Sequence, residues 1–332
     1  MAGMSNLWDR QQNKRARQKK QRAKQRAFLS SAEGPAGGAA ADNELRGIVV
    51  GMHRNAVEVR CEGRDFICDP SGDLAVGDYV GLGARPFFHV TRRFPRKSVV
   101  ARWRGDWTRK GKAGLAEQVI AANVDLGVIV ASAAEPDFHP RFVDRFLAVL
   151  AHGQVEPVIC LTKSDLASRL SQARDLYGSL GPAILEVSTV TGEGMDAFRK
   201  VIAGRTAVLI GHSGTGKSSL LRTLLPEAPA RTQVVSKKTG RGRHTTTASR
   251  MYEWAPGSFI IDTPGIRSLG LETIARGELR LFFPEFAPFA PSCRFRDCLH
   301  DREQDCAVRK AVADGAVAAP RYQSYLRLLH EA

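Results

Sequence analysis

The segment Gly211–Ser218 has the residue types and the spacing of a loop that binds nucleotide phosphates. It is written GHSGTGKS, which matches the pattern G-x-x-x-x-G-K-[ST]. Glycines let the backbone turn tightly, so that N–H groups converge on phosphate oxygens at the start of a helix, where the helix dipole favours anions. Lys217 is expected to reach the β- and γ-phosphates, and Ser218 to place its hydroxyl on Mg²⁺. The candidate phosphate-binding residues are Gly211, His212, Ser213, Gly214, Thr215, Gly216, Lys217, Ser218 and Ser219.

A second motif, Thr162-Lys163-Ser164-Asp165, indicates which base the nucleotide carries. The Asp165 carboxylate can accept hydrogen bonds from the N1–H and the 2-amino group of guanine, a donor pair that adenine lacks. The stem of Lys163 can cover the plane of the base. GTPases commonly have N-K-x-D here, and Thr162 is a shorter hydrogen-bonding substitute for that asparagine. We therefore expect this motif to select GTP, with Ser188 contacting the base from the other side.

Two further segments are expected to surround the γ-phosphate. Phe259–Gly265 (FIIDTPG) predicts a strand that ends in D-T-P-G. Asp262 would hold Mg²⁺ through water, and the Gly265 N–H would contact the γ-phosphate. The basic, Gly-rich segment 239–247 lies between the phosphate loop and this strand. Thr246 is the preferred residue to complete the Mg²⁺ shell when GTP is present, and Thr245 is the alternative.

The residue that orients the attacking water is absent from its usual position. Ras-like enzymes use a glutamine directly after the D-x-x-G glycine, and Ile266 occupies that position here. His244 is the candidate for this role, because it titrates near neutral pH and lies in the same Gly-rich segment. A loop histidine with no catalytic role is the alternative. The predicted catalytic residues are His244, Lys217 and Thr246.

Apolar runs precede these motifs and predict the strands that position them. Val158–Leu161, Val208–Ile210 and Phe259–Ile261 each lead directly into one motif. Strands alternate with helices, among them an amphipathic helix predicted over 141–150, and ligands bind at the carboxyl ends of strands in such α/β sheets. The guanine motif precedes the phosphate loop, whereas most phosphate-loop GTPases have the opposite order. This order indicates a circularly permuted nucleotide domain.

The C-terminal segment contains a compact set of metal-ligating side chains. Its pattern is Cys293-x4-Cys298-x-His300-x5-Cys306. Three thiolates and one imidazole form the closed tetrahedral set that is typical of structural Zn²⁺. We therefore expect one structural zinc ion and no catalytic role for it.

Charge and composition restrict the class of protein. The 332-residue chain has a net charge of +15, and its first 30 residues contain nine Lys/Arg and one acidic residue. This balance favours a polyanionic partner, and nucleic acid above all, although a merely solubilising tail is the alternative. No apolar run is long enough to span a membrane, no secretory signal precedes the first motifs, and six cysteines do not form a disulfide pattern. We expect a cytoplasmic monomer.

The chain divides into four predicted parts. Residues 1–41 predict a basic disordered tail and linker, and 42–106 predict a β-barrel of the oligonucleotide-binding (OB) type that binds RNA. Residues 107–275 form the predicted circularly permuted α/β phosphate-loop GTPase domain, and 276–332 a mainly helical zinc-binding module. Basic residues among aromatic ones near residue 100 would suit phosphate contact and base stacking, with an ordinary basic surface as the alternative. They are Arg92, Arg93, Arg96, Lys97, Arg102 and Arg104, interleaved with Phe94, Trp103 and Trp107.

These motifs together resemble the RsgA (YjeQ) family of bacterial small-ribosomal-subunit biogenesis GTPases. The matching segments are 162–165, 211–219, 242–247 and 262–265 and the four zinc ligands, in the family's order of barrel, permuted GTPase domain and zinc module. The resemblance implies late maturation of the small ribosomal subunit, contact with its ribosomal RNA, and GTP hydrolysis that the subunit strongly stimulates.

Two other functions compete with this interpretation. A GTP-stabilised RNA-binding module with incidental turnover remains open, because Ile266 cannot orient water. An ATP-dependent small-molecule kinase is disfavoured by Asp165 and by the basic flanking segments.

Overall fold

The computed structural model describes residues 45–53, 55–83, 88–105, 115–166, 170–226, 249–263, 271 and 274–331. The predicted basic tail and linker, residues 1–41, lie outside this part of the chain. The strands are β1 (Leu45–Met52), β2 (Val57–Cys61), β3 (Arg64–Cys68), β4 (Tyr79–Gly83), β5 (His89–Arg93), β6 (Val99–Gly105), β7 (Leu115–Ala122), β8 (Leu126–Ser132), β9 (Glu156–Thr162), β10 (Ala183–Val187), β11 (Thr206–Ile210), β12 (Arg250–Ala255) and β13 (Ser258–Asp262).

Six α-helices and four short 3₁₀ turns accompany these strands in the described residues. The helices are α1 (Pro140–His152), α2 (Leu170–Tyr177), α3 (Met195–Ile202), α4 (Lys217–Leu224), α5 (Ala307–Ala313) and α6 (Ala319–Glu331). The 3₁₀ turns are Ser164–Leu166, Leu279–Phe282, Pro284–Phe286 and Ala290–Ser292. The helix predicted over 141–150 is confirmed by α1. None of the described helices is long and apolar enough to cross a membrane.

The central sheet has the order β10-β9-β8-β11-β13-β12, in which all neighbours are parallel except the antiparallel pair β12–β13. Its middle strands are apolar and buried along their whole length, as parallel strands covered on both faces require. Alternate residues therefore enter two different cores. On one face Ile129 and Ile159 pack with α1 and α6, and on the other Val128 packs with α3 and α4.

The first five strands form a second unit with the order β5-β4-β1-β2-β3. The ends of this series meet, because the Asp69 N–H donates to the Phe88 carbonyl at 3.1 Å and the Val90 N–H donates to the Asp69 carbonyl at 3.0 Å. Valine side chains from several strands, among them Val49 and Val59, fill its interior. The strands thus close into a small barrel, and its assignment to the oligonucleotide-binding type stays a prediction.

The barrel is joined to the central sheet by backbone pairing. Strand β1 pairs with β12 at Gly51 and Arg250, so both units belong to one continuous sheet. Arg250 donates to Glu58 at 2.8 Å, and Arg60 donates to Glu253 at 3.3 Å across the same seam. The β6–β7 pair also links residues on both sides of the boundary predicted at 106/107. The division into domains stays a prediction.

Arg96 has a structural role that differs from the one predicted. Its side chain is fully buried and donates to both carboxylate oxygens of Asp78, at 2.6 and 2.7 Å. The Ala75 N–H also donates to Asp78, at 2.7 Å. The prediction that Arg96 suits phosphate contact is therefore wrong, because a buried, paired guanidinium has no face open to a ligand.

Candidate nucleotide site and metal centre

The predicted motifs meet at one edge of the central sheet. Strands β9, β11 and β13 are parallel, so the residues that follow them lie at the same carboxyl edge. Asp165 lies in the turn after β9, the phosphate loop follows β11, and Asp262 ends β13. The guanine motif follows a strand that comes before β11 in the chain. Although the motifs are permuted in the sequence, they lie together at the edge of the sheet where α/β proteins bind ligands.

The phosphate loop runs from the end of β11 to the start of α4, which begins at Lys217. Gly214 and Gly216 have φ values of +81° and +89°, a region that other residues rarely adopt. A Cβ atom at Gly211 would lie 2.5 Å from the Val130 carbonyl oxygen, and one at Gly216 would lie 3.2 Å from Thr162 Oγ1. Both backbone conformation and close packing therefore require glycine in this loop.

Lys217 lies inside the turn of the loop. Its Nζ donates to the Gly211 carbonyl at 2.6 Å and also to the His212 carbonyl. The ammonium group is thus held at the mouth of the loop, beside the N-terminus of α4. A positive charge in this position can bind phosphate oxygens by replacing these carbonyl contacts.

Thr162 connects the guanine motif directly to the phosphate loop. Its buried hydroxyl donates to the Thr215 carbonyl at 2.7 Å. The next residue, Lys163, has a φ of +59°, and its Nζ donates to the Glu135 carbonyl. Asp165 is exposed in the 3₁₀ turn that follows, where its carboxylate is open to a ligand. The sequence did not indicate the partners of Thr162 and Lys163, because both are main-chain carbonyls.

Ser188 lies beside this motif, since Val187 pairs with Thr162 in the sheet. The Ser188 hydroxyl oxygen accepts hydrogen bonds from the N–H groups of Val190 at 3.2 Å and Thr191 at 3.1 Å. The side chain therefore shapes the turn after β10. The residue lies next to the guanine motif, and its contact with the base stays a prediction.

Asp262 faces Lys217 across the site. Burial raises the pKa of the Asp262 carboxyl group above its usual range, and the positive charge of Lys217 opposes this effect. A half-buried carboxylate beside an anion-binding loop is suited to a bound cation. Gly265, His244 and Thr246 lie outside the described residues, as do Thr245 and Ile266.

A contact that the sequence did not predict joins the phosphate loop to α1. The His212 ring packs on the Phe142 ring of α1, with centroids 3.9 Å apart. A cavity of about 330 Å³ adjoins this contact, between the loop and the segment that precedes α1. Phe142 gave no sequence signal, because an aromatic residue in an amphipathic helix is ordinarily assigned to the core.

The four predicted zinc ligands converge. The ligand atoms of Cys293, Cys298, His300 and Cys306 all lie within 4.8 Å of one another. His300 Nδ1 lies 3.6 Å from Cys293 Sγ and 3.4 Å from Cys306 Sγ, and the latter two sulfurs are 3.9 Å apart. A tetrahedron with Zn–S of about 2.3 Å and Zn–N of about 2.0 Å has edges of about 3.5–3.8 Å. The donor set and its spacing therefore fit one zinc ion.

Burial affects the ligands in two ways: it raises the pKa of the Cys298 and Cys306 thiols, whereas the histidine responds in the opposite direction. Burial lowers the pKa of His300 to about 4, so the imidazole is neutral and able to coordinate at neutral pH. Hydrogen bonds to two side chains hold the surrounding backbone in place. Glu303 accepts hydrogen bonds from the N–H groups of Leu299 at 2.7 Å and Asp301 at 2.9 Å, and the Tyr322 hydroxyl donates to the His300 carbonyl at 2.6 Å. Four protein ligands leave no open position, as in structural zinc sites.

Comparisons with known proteins agree with this geometry. The family model described as RsgA GTPase matches residues 94–272. A small ribosomal subunit biogenesis GTPase RsgA from Gemmatimonas aurantiaca is 40% identical over 265 residues, which cover 78% of this chain and 84% of that protein. The crystal structure of YjeQ from Thermotoga maritima has a TM-score of 0.69 at 28% identity, covering 87% of this chain and 98% of that one. YloQ, a circularly permuted GTPase, has a TM-score of 0.63 at 26% identity, covering 89% and 97%.

Proposed function

Since the chain belongs to the RsgA GTPase family, we propose that it docks on the small ribosomal subunit through ribosomal RNA and hydrolyses GTP there during a late step of maturation. The chain is a GTP hydrolase of small-ribosomal-subunit biogenesis. The observation that carries the proposal is the hydrogen bond from Thr162 to Thr215, which holds a guanine motif and a phosphate loop at one sheet edge.

Within this site each group has a proposed role. The N–H groups of residues 211–219 and Lys217 bind the phosphates, and Asp165, with Lys163, Ser164 and Ser188 beside it, selects guanine. Ser218, Asp262 and Thr246 hold the Mg²⁺ that accompanies GTP, and Gly265 contacts the γ-phosphate. Magnesium in this position neutralises charge on the phosphate oxygens. Cys293, Cys298, His300 and Cys306 hold one structural zinc ion.

Hydrolysis also requires a group that orients water. We propose His244 for this role, since Ile266 has no polar atom to offer. His244 would act in this role only when the chain is docked on the subunit. This accounts for the strong stimulation that we propose.

The barrel supplies a proposed RNA-binding surface. The guanidinium groups of Arg46 and Arg92 lie over the Phe94 ring, at 5.0 and 4.7 Å from its centroid. Arginines that flank an aromatic ring on a barrel suit phosphate contact and base stacking. The net charge of +15 supports the same kind of partner. The chain would act as a monomer in the cytoplasm, where ribosomal subunits mature.

Steady-state GTP hydrolysis with and without purified small ribosomal subunits tests the proposal, with ATP as the substrate control. We expect strong stimulation by the subunits, little ATP turnover, and loss of activity in Lys217→Ala. His244→Ala should lose the stimulated rate while it still binds GTP. GTP binding without any stimulation would instead favour a GTP-stabilised RNA-binding module.

A further inference from the structure

Helix α1 contacts the phosphate loop near its N-terminal end. Phe142, in the first turn, packs on the His212 ring of the loop and on Phe146, one turn later in the same helix. The segment before the helix is held as well, because Lys163 of the guanine motif donates to the Glu135 carbonyl. A shift of α1 would therefore displace both the phosphate loop and the guanine motif.

The same helix carries the main contact with the zinc module. Arg321 of α6 is 2% exposed, and its guanidinium donates to the Asp144 carboxylate of α1. It also donates to both oxygens of Glu285, at 2.7 and 3.1 Å. The Tyr177 hydroxyl donates to Asp144 at 2.7 Å, which adds α2 to the network. Arg321 thus joins α6 to α1 and to the 3₁₀ turn that contains Glu285.

Arg321 remains charged in this position. Burial disfavours its charge, but the hydrogen bond to Glu285 and the charges of Asp144 and Glu285 outweigh burial, so the pKa of the guanidinium is raised. Any separation of α6 from α1 would leave a buried charge without its partner, which is strongly unfavourable, and this holds the two helices in one relative placement. At the surface, Arg141 and Arg145 of α1 both pair with Glu331 of α6, and exposed pairs of this kind contribute less.

The two contacts of α1 are close to each other. Phe142 and Asp144 are two positions apart, which corresponds to about 3 Å along the helix axis. A helical turn is rigid over this length, so displacement of Asp144 also displaces Phe142. The packed loop cannot absorb such a shift without changing its own conformation.

We propose that Arg321 is a positioning residue for the phosphate loop. By fixing Asp144 it fixes the Phe142–His212 contact, so that the position of the zinc module on α1 determines the affinity for nucleotide. The coupling is reciprocal, and bound nucleotide therefore stabilises the contact between the zinc module and α1. The route is through packed side chains and is separate from the chain connection between Asp262 and the module. The inference rests on the proposed function only in that guanine nucleotide must occupy the site.

The test is a double-mutant cycle on the full-length, zinc-loaded chain without ribosomal subunits. Dissociation constants for fluorescent GDP and a fluorescent non-hydrolysable GTP analogue are measured for wild type, Arg321→Gln, Phe142→Leu and the double variant. We expect Arg321→Gln to weaken nucleotide binding at least about fivefold. In the Phe142→Leu background the same change should have less than about twofold effect. Equal effects in both backgrounds would overturn the proposal.

Controls separate positioning from general damage. Arg294→Gln removes an exposed ion pair with Asp305 inside the zinc module and should leave nucleotide affinity unchanged. Circular dichroism and zinc content report folding. If Arg321→Gln does not fold, Arg321→Lys keeps the charge and loses the bidentate contact, and it must show the same dependence on Phe142. A wild-type chain that binds no guanine nucleotide would overturn the proposed function as well, whereas normal binding by every variant would overturn only this inference.

Discussion

The Thr162 hydroxyl lies 2.7 Å from the Thr215 carbonyl oxygen, so one hydrogen bond joins the guanine motif to the phosphate loop. The asparagine that GTPases commonly have at this position is replaced by threonine. The shorter side chain still provides a donor, and that donor is directed at the loop. This explains why the substitution is compatible with a nucleotide site.

Thr162→Val should destabilise the protein and weaken nucleotide binding. The valine keeps the shape and leaves the buried Thr215 carbonyl without its donor, which costs about 1–3 kcal/mol of unfolding free energy. Chemical denaturation and nucleotide titration measure both effects. Thr162→Ser keeps the hydroxyl and serves as the matched control. Equal stability of the valine and serine variants would contradict the role assigned to the hydrogen bond.

Asp165→Asn should change base selectivity and leave the fold intact, because Asp165 is exposed. An amide can donate to the 2-oxo group of xanthine, whereas it cannot accept both guanine donors. GTP affinity should fall at least about tenfold, since hydrogen bonds to a charged group contribute about 1.5–3 kcal/mol. XTP affinity should rise. Competition titrations with GTP, XTP and ATP measure this, and an unchanged order of affinities would remove Asp165 from the base site.

Arg92 and Arg96 should behave differently when replaced. Arg92→Ala should reduce RNA affinity and lower its salt dependence, because it would remove one proposed phosphate contact. Arg96→Met should leave Asp78 as an uncompensated buried charge and cost about 3–5 kcal/mol of stability. Filter binding at several salt concentrations and thermal unfolding separate the two effects. A large loss of RNA affinity in a fully folded Arg96→Met chain would show that the buried assignment is wrong.

Zinc removal should unfold the C-terminal module. Wild type should contain one zinc ion per chain, and Cys306→Ser should contain much less, since structural zinc sites depend on all four ligands. Hydrogen exchange should then increase over residues 293–331. Cys160→Ala is the control, because this buried cysteine lies in β9 and should not affect zinc content. Elemental analysis by mass spectrometry gives the answer, and full zinc content in Cys306→Ser would contradict the ligand set.

Stability should fall on acidification through protonation of His152. Burial lowers its pKa below the ordinary 6.5, and the charge of Glu278 opposes this shift. Below pH 6.5 the unfolded chain therefore binds more protons than the folded one, and the contribution of His152 is lost as the pH falls towards the folded pKa. His152→Gln should show a flatter loss of unfolding free energy over this range. Parallel pH profiles for the two proteins would contradict the assignment.

The sequence predicted those parts of the site whose chemistry lies in consecutive residues. The strand before the loop, the glycines at 214 and 216 and the start of helix α4 follow from local patterns, and the structure has them in place. The zinc ligands were also predictable, because thirteen positions of spacing from Cys293 to Cys306 bring four ligands together. Such patterns need no knowledge of distant contacts.

Contacts between distant segments could not be predicted in this way. Asp144 and Arg321 are separated by 177 positions, and neither belongs to a motif. Arg96 was assigned to a surface because its neighbours in sequence are basic, whereas its burial depends on the fold around Asp78. The contact of Phe142 with His212 depends on the position of a whole helix. Position in the assembled sheet, which no local pattern specifies, decides each of these cases.

The pairing of β1 with β12 has a practical consequence for anyone who isolates the nucleotide-binding half of the chain. Without residues 45–105, β12 loses its partner at Gly51, and backbone N–H and C=O groups on this edge are left open. Met251 belongs to the same buried core cluster as Val50 of β1 and would lose that cover. An uncovered strand of this kind recruits other chains and promotes aggregation. Poor solubility of such a fragment would therefore be explained by the loss of the strand that pairs with β12. It would not show that the nucleotide site is unable to fold.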